Sequence, residues 1–302
     1  DRKYYTNNLE GDSKCDISIV VCCYSGEMTL EQCMISLNKQ CTREINIEVL
    51  LIDDGSKDKT AKIADSFIKN DDIAENITFK YYRKNNEGLS VARNFGISKS
   101  QSNIVAFVDE DAIVDKYFSV NIVKVFNENK DVNCIGGKIH LLNKENSFAT
   151  IIQKSIFSYQ MKSSKAVIGT NMAFRKSLFV SIGGFIPEFT YRGDESAFFK
   201  KAKGFIHIRT SKDVVVIHPQ PDSFKKWIKT RYENGFYSAA IDSIPEFEKV
   251  IVYKRLLLSI TSLISPLIAL LLINMFCCIS MGIVTFYVIL LLKRFVINRT
   301  LR

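Results

Sequence analysis

Residues 104–111 read Ile104-Val105-Ala106-Phe107-Val108-Asp109-Glu110-Asp111. Five apolar residues running into three carboxylates predict a buried strand with its chemistry at the carboxyl end. In extended backbone, residues two apart point to the same side, so Asp109 and Asp111 face together. Three adjacent carboxylates in that position repel one another unless a cation is present. Hard oxygen ligands at this spacing suit Mg²⁺ or Mn²⁺, which takes one or two carboxylates together with phosphate oxygens of a substrate.

Upstream, the same kind of unit recurs. Ile17 to Cys23 is a short β-branched run bounded by Tyr24, Ser25 and Gly26, and Thr29 to Gln40 has helical spacing. A second run, Ile47 to Ile52, ends on Asp53-Asp54-Gly55-Ser56 and is followed by a helical pattern from Lys59 to Ile68. A third, Ile77 to Tyr82, precedes a polar loop and a helix from about Leu89 to Lys99. Strand and helix alternate at roughly 25 to 30 residues per unit, the mark of parallel βαβ construction. In such sheets ligands sit outside the carboxyl ends of the strands, where the acidic clusters of the second and fourth runs fall. Beyond about residue 130 the pattern changes. Cys134 to Leu142 predicts a strand, Gly183-Gly184 a turn, Asp194 a helix start, and Val214 to Ile217 a late strand ending on His218-Pro219.

Composition narrows the function classes. The 302 residues are 47% hydrophobic and 24% charged, which fits one or two folded domains rather than a disordered chain. Lys and Arg total 41 against 32 Asp and Glu, a formal charge of +9 that suits a polyanionic ligand or an anionic membrane surface. No basic run interleaved with aromatics occurs before residue 220, so nucleic acid is not the expected partner. The eight cysteines are mostly embedded in apolar runs and show no paired Cys-x-x-Cys, which speaks against both a disulfide framework and a structural zinc. No Gly-x-Gly-x-x-Gly follows any strand, which excludes a dinucleotide-binding dehydrogenase, and only Gly26 follows the first strand where a sugar-nucleotide pyrophosphorylase needs a Gly-rich loop.

Residues 256–292 form a run of 37 without a charged side chain. At ~1.5 Å per residue one helix of that length reaches roughly 55 Å, well beyond a ~30 Å hydrocarbon core, so two spans divided near Asn274 are expected. Lys254 and Arg255 precede the run and Lys293, Arg294 and Arg299 follow it, so a hairpin keeps every basic residue on one side, the cytoplasmic one. The expected organisation is a polar arm (1–15), a catalytic domain (16–222), amphipathic interfacial helices (223–255), two spans (256–292) and a basic tail (293–302). Trp227, Arg231, Tyr232 and Phe236 are expected at the membrane interface.

The motifs together resemble the inverting family-2 glycosyltransferases of GT-A fold. The resemblance rests on Ile17 to Tyr24, on Ile52-Asp53-Asp54-Gly55-Ser56, on Asn86-Glu87-Gly88-Leu89-Ser90-Val91-Ala92-Arg93-Asn94-Phe95-Gly96 and on Asp109-Glu110-Asp111, in family order. It continues more loosely through Gly169-Thr170-Asn171-Met172-Ala173-Phe174-Arg175 and Gly183-Gly184-Phe185 to Gly193-Asp194-Glu195, and covers roughly residues 16 to 240.

The resemblance implies a Rossmann-like mixed sheet flanked by helices, with a nucleotide-binding half to about residue 130 and an acceptor half after it. It implies donor contacts from Tyr24, Asp53, Asp54, Gly55, Arg93, Asn94, Asp109 and Glu110, with Asp54 on the nucleobase. Metal ligands would be Asp109, Asp111 and His218. The acidic pair opening the late helix stands in the order Asp194, Glu195, the reverse of the usual one, so either residue is a candidate general base. Ser223-Phe224-Lys225-Lys226-Trp227 keeps only the Trp of the Gln-x-x-Arg-Trp motif of processive synthases.

The function implied is transfer, with inversion and Mn²⁺ or Mg²⁺, of a sugar from a nucleotide-sugar donor, with UDP expected, to a lipid-linked or membrane-proximal glycan. The catalytic domain is then a cytoplasmic unit attached to a membrane. A polyprenyl-phosphate glycosyl synthase, a polysaccharide synthase subunit and a membrane-attached nucleotide-sugar binding module are the alternatives.

Overall fold

The computed structural model describes residues 15–41, 44–70, 72–162 and 167–243. In chain order the elements are β1 (Ile17–Cys23), α1 (Leu30–Asn38), β2 (Ile47–Asp53), α2 (Thr60–Ile68), β3 (Ile77–Arg83), α3 (Leu89–Lys99), β4 (Ile104–Asp109) and β5 (Ile113–Val114). There follow α4 (Phe118–Glu128), β6 (Cys134–Leu141), α5 (Ser147–Lys162), β7 (Asn171–Arg175), α6 (Lys176–Ile182), α7 (Asp194–Lys201), β8 (Ile208–His218) and α8 (Phe224–Ser243). They build one eight-stranded sheet in the order β3-β2-β1-β4-β7-β6-β8-β5. The first four strands pair in parallel, as the alternation predicts.

The second half is mixed. Strand β7 runs antiparallel to both β4 and β6, β8 is parallel to β6, and the short β5 closes the far edge antiparallel to β8. Strand β8 starts at Ile208, six residues before the expected Val214, because Arg209, Ser211, Lys212 and Asp213 break the apolar run without breaking the strand. Its pairing with β6 shifts register between Gly136 and Lys138.

Period-two alternation distributes the apolar side chains of β1 and β4 between two cores. Ile17, Ile19, Val21, Ile104, Ala106 and Val108 pack on one face with α1 and α4, through Leu30, Met34, Phe118 and Phe126. Val20, Val105 and Phe107 pack on the other with α3, α6 and α7, through Ala92, Phe179 and Phe198. Phe107, Phe174, Phe179, Phe185 and Phe198 form an edge-on and tilted aromatic stack in this second core. Burying each such ring contributes ~1.5–3 kcal/mol.

The same parity aims the acids. Asp109, two residues on from Phe107, points to the face of α3 and α7, and its Cα partner on β1 is Cys22. Asp53 has the parity of Val49 and Leu51 and so points to the opposite face.

The arm over 1–14, the last residues of the interfacial segment, the two spans over 256–292 and the tail lie outside the described residues. Among the described residues no helix is long and apolar enough to cross a membrane.

Candidate active site

A cavity of about 550 Å³ opens at the carboxyl ends of β1 and β4, with Cys22, Arg93, Asp109, Asp111, Gly169, Asp194, Glu195 and His218 among its lining. Five carboxylates, those four and Glu110, thus line it with one imidazole and the guanidiniums of Arg93, Arg192 and Arg231. Arg93 is the centre of the arrangement. Its side chain is 3% exposed, pairs through Nη1 with Asp194, and lies 3.5 Å by Nη2 from Asp109 Oδ1 and 3.9 Å by Nη1 from Glu195 Oε2. The guanidinium also stands over the rings of Phe107 and Phe185, at 5.7 and 5.5 Å from their centroids. Burial alone would favour its neutral form, but Asp194, Asp109 and Glu195 outweigh that and keep it charged.

The two acids at the start of α7 separate in environment. Asp194 is 1% exposed and committed to Arg93, while the Glu195 side chain is 32% exposed toward the cavity. Burial, reinforced by the Asp194 charge, pushes Glu195 up to about 7. Gly169 leaves room for that carboxylate: a Cβ there would stand 2.8 Å from Glu195 Oε2 and 3.3 Å from Arg93 Nη2.

Asp109, Asp111 and His218 bring one ligand atom each within 4.8 Å of one another. His218 reaches this site because it ends β8 one residue past Ile217, the partner of Ile113 on β5, placing Nε2 3.1 Å from Asp111 Oδ1 and 3.9 Å from Asp109 Oδ2. Burial disfavours the imidazolium, yet the hydrogen bond and charge of Asp111 raise the His218 pKa. Burial likewise raises Asp109. Two carboxylates and an imidazole nitrogen, with a surplus of negative charge around them, form a donor set that fits Mn²⁺ or Mg²⁺, the nitrogen favouring Mn²⁺. Glu110 lines the same cavity, its Cγ 3.3 Å from where a Cβ of Gly26 would lie, and burial followed by Asp109 and Asp111 pushes it up to about 8.

The remaining expected donor contacts are placed elsewhere. Asp53 is fully buried on the far face of the sheet, accepting from Ser56 N at 2.8 Å and from the Tyr81 hydroxyl at 2.6 Å. Asn94 is likewise engaged within the fold. Its amide donates to Phe185 O and accepts from Phe185 N, both at 2.8 Å, so its polar groups pin the start of the 185–190 loop. Asp54 lies between these cases: Oδ1 accepts from Lys84 Nζ and Glu87 N, and Oδ2 from Gly88 N at 2.8 Å. It therefore shapes the loop entering α3. Gly55 turns at φ 82° beside it, and Tyr24 is half exposed after β1.

Helix α8 supplies what the sequence did not disclose. Trp227, Thr230, Arg231 and Asn234, one helical stripe, line the same cavity. The Arg231 guanidinium rests 5.7 Å over the Trp227 ring. Tyr232 and Phe236 remain exposed on the helix, at 76% and 64%. A stripe repeating at three and four residues was readable, but which face it turned to the site was not.

Residues 18–183 match the model of the family described as glycosyl transferase family 2. Over 190 residues the chain is 22% identical to the glucosyl-dolichyl phosphate glucuronosyltransferase of Haloferax volcanii, covering 59% of this chain and 58% of that protein. It spans 32%, 58% and 37% of the lengths of three curated relatives that it matches. Among solved structures it resembles the mannosyltransferase PcManGT from Pyrobaculum calidifontis in complex with GDP-Man and Mn²⁺, at TM-score 0.60 and 18% identity over 78% of this chain and 66% of that one. It also resembles S. aureus TarS 1-349 in complex with UDP-GlcNAc, at TM-score 0.52 and 18% identity over 77% and 68% of the two chains. The mixed sheet with flanking helices is the GT-A fold that these neighbours share.

Proposed function

The chain belongs to glycosyl transferase family 2, and from that premise we propose that it moves a sugar, with inversion, from a nucleoside-diphosphate donor to an acceptor hydroxyl on a lipid-linked or membrane-proximal glycan. The observation that carries this reading is the separation of Glu195 from Asp194. One carboxylate is consumed by buried Arg93, and the other opens onto the cavity that also holds Asp109, Asp111 and His218.

Glu195 is the general base. Its carboxylate takes the proton of the acceptor hydroxyl while that oxygen attacks the anomeric carbon from the face opposite the diphosphate. The new glycosidic bond forms as the bond to the diphosphate oxygen breaks, and the configuration inverts. A pKa near neutrality suits this work, because a substantial fraction of the base is then ionised while it remains basic enough to take the proton. Asp194 and Arg93 hold the start of α7 against α3, and Gly169 keeps the carboxylate's path clear. Asp109, Asp111 and His218 would hold a divalent ion, Mn²⁺ or Mg²⁺, whose charge neutralises the diphosphate when bound.

The donor nucleotide is read as uridine, supported by the UDP-GlcNAc in the TarS neighbour, with Tyr24, Gly55 and the loop that Asp54 organises at its edge. The α8 stripe of Trp227, Thr230, Arg231 and Asn234 forms the acceptor wall, an aromatic and hydrogen-bonding surface of the kind a glycan needs. A lipid-linked acceptor is supported by the Haloferax relative, whose name carries a dolichyl phosphate, and by the uncharged run 256–292. Lys254, Arg255, Lys293 and Arg294 flank that run and favour a hairpin with the catalytic domain on the cytoplasmic side.

A panel of UDP- and GDP-sugars tested with Mn²⁺ by thermal shift, then by release of nucleoside diphosphate, decides the reading. One selectively stabilising donor is expected, turned over by the wild type and bound but not turned over by Glu195→Gln. Stabilisation without turnover in either protein would make this a binding module instead.

A further inference from the structure

Helix α7 begins at Asp194 after Gly193, which sits in the left-handed region at φ 80° and makes no side-chain cap. The turn that aims Glu195 therefore depends on what holds the residues before it. One support comes from α3: Leu89 N donates to Thr190 O and Ser90 Oγ to Phe189 O, each at 2.7 Å. The other comes from α8. Arg192 Nε donates to Glu233 Oε2 at 2.9 Å, with the two side chains 32% and 21% exposed. One turn further along α8, Tyr237 packs so closely that a Cβ on Gly193 would lie 2.9 Å from its own Cβ. Ile241, a turn beyond, joins Phe189 and Ala197 in a small apolar cluster apart from the two sheet cores.

Glu233, Tyr237 and Ile241 recur every four residues and form a stripe adjoining the one that lines the cavity. One rigid helix thus presents its first stripe to the site and its second to the turn under the base.

We infer that Glu233 is a positioning residue: through Arg192 it fixes the Gly193 turn and so sets Glu195 in register with whatever acceptor lies against Trp227 and Arg231. The inference rests on reading Glu195 as the base. It assigns Glu233 no contact with substrate and no proton to move. A pair this exposed adds little to global stability, so removing it separates placement from folding.

The test uses the full chain carrying Glu233→Gln, with UDP and Mn²⁺ as the binding probe and the same panel of UDP- and GDP-sugars for turnover. Backbone hydrogen exchange should quicken at residues 193–198 and stay unchanged in β1 and β4, while UDP affinity stays within about twofold. The kcat for nucleoside diphosphate release should fall about tenfold or more at unchanged donor KM, as a displaced catalytic group loses rate without losing binding. Exchanging the charges, Arg192→Glu with Glu233→Arg, should recover most of that loss. Unchanged exchange at 193–198 overturns the inference whether or not any donor is turned over. So does a fall in UDP affinity matching the fall in kcat, or a charge-exchanged protein no better than the single variant. A wild type that turns over no nucleotide sugar counts against the glycosyl-transfer reading instead, and the exchange measurement still decides whether Glu233 holds the turn.

Discussion

The guanidinium of Arg93 and the carboxylate of Asp194 form an ion pair in which neither side chain is more than 3% exposed, between residues 101 apart in sequence. It joins the helix after β3 to the helix start that bears the proposed base. It also divides the labour of the acidic pair, since the carboxylate paired with the buried guanidinium orients its neighbours while Glu195 faces the cavity.

Removing one partner should therefore act on folding first. Arg93→Leu leaves Asp194 buried without its counter-charge, and a loss of about 3–5 kcal/mol is expected, the usual cost of breaking a buried pair from one side. Arg93→Leu combined with Asp194→Leu removes both charges and should recover a large part of it. Urea denaturation of the three proteins measures this, and a single variant as stable as the wild type would show the pair to be energetically idle.

Glu195→Gln should behave in the opposite way, with stability and UDP·Mn²⁺ binding kept and transfer lowered by about 10² to 10⁴. The pH profile carries the sign. Glu195 is raised to about 7, and only its ionised form accepts a proton, so wild-type kcat should rise about tenfold per pH unit below that value and level off above it. That limb should vanish in Glu195→Gln. If Asp194→Asn erases the limb and Glu195→Gln keeps it, the roles are reversed.

Gly169 tests how closely the base is placed. Its φ is not in the left-handed region, so Ala fits the backbone, but the new Cβ would stand 2.8 Å from Glu195 Oε2 and 3.3 Å from Arg93 Nη2. The carboxylate must move, and a shift approaching 1 Å costs on the order of 10² in rate. Gly169→Ala is expected to lose about that much kcat while still binding UDP with Mn²⁺. Wild-type turnover by this variant would mean that the site tolerates a displaced carboxylate.

Period-two alternation made much of this site legible. It aimed Asp109 to the cavity side of β4, and it already held the answer for Asp53, which shares the parity of Val49 and Leu51 and so faces the other core. Asp111 lies beyond the end of β4, in the turn at 110–111, so that turn and not an extended backbone brings it beside Asp109. The reading that placed Asp53 at the donor followed the motif rather than the alternation. The order Asp194, Glu195 left the base open because the decision lies in a contact with Arg93, for which no local pattern exists. The bonds of Asn94 to the backbone of Phe185 were hidden because a helix sequence does not show which groups distant in the chain will meet it. The antiparallel β7 was not legible as a strand at all, because Met172, Ala173 and Phe174 between Asn171 and Arg175 are too short an apolar run to mark one. On α8, aromatic and basic residues beside an apolar run suggested a membrane interface but did not show that Trp227 and Arg231 line the cavity.

The last prediction concerns the donor set at the end of β4. Asp111 and His218 lie 3.1 Å apart by Oδ1 and Nε2, and in the absence of metal the carboxylate raises the imidazole's pKa even though burial opposes the charge. A metal ion needs the neutral imidazole, so protons and Mn²⁺ compete for the same nitrogen. Affinity for Mn²⁺ should therefore fall as pH drops through the raised His218 pKa, and the dependence should weaken in His218→Gln, which offers an oxygen that does not titrate there. Asp111→Asn should lower Mn²⁺ affinity by at least about tenfold, since ligand charge sets the strength of a hard-cation site. EDTA should abolish turnover and added Mn²⁺ restore it. Calorimetric titration of Mn²⁺ across the pH range, with UDP present, measures all three proteins. Full turnover in metal-free buffer, or Mn²⁺ affinity indifferent to both substitutions, would place the diphosphate's counter-charge on side chains, and Arg231 on the cavity wall would be the first to examine.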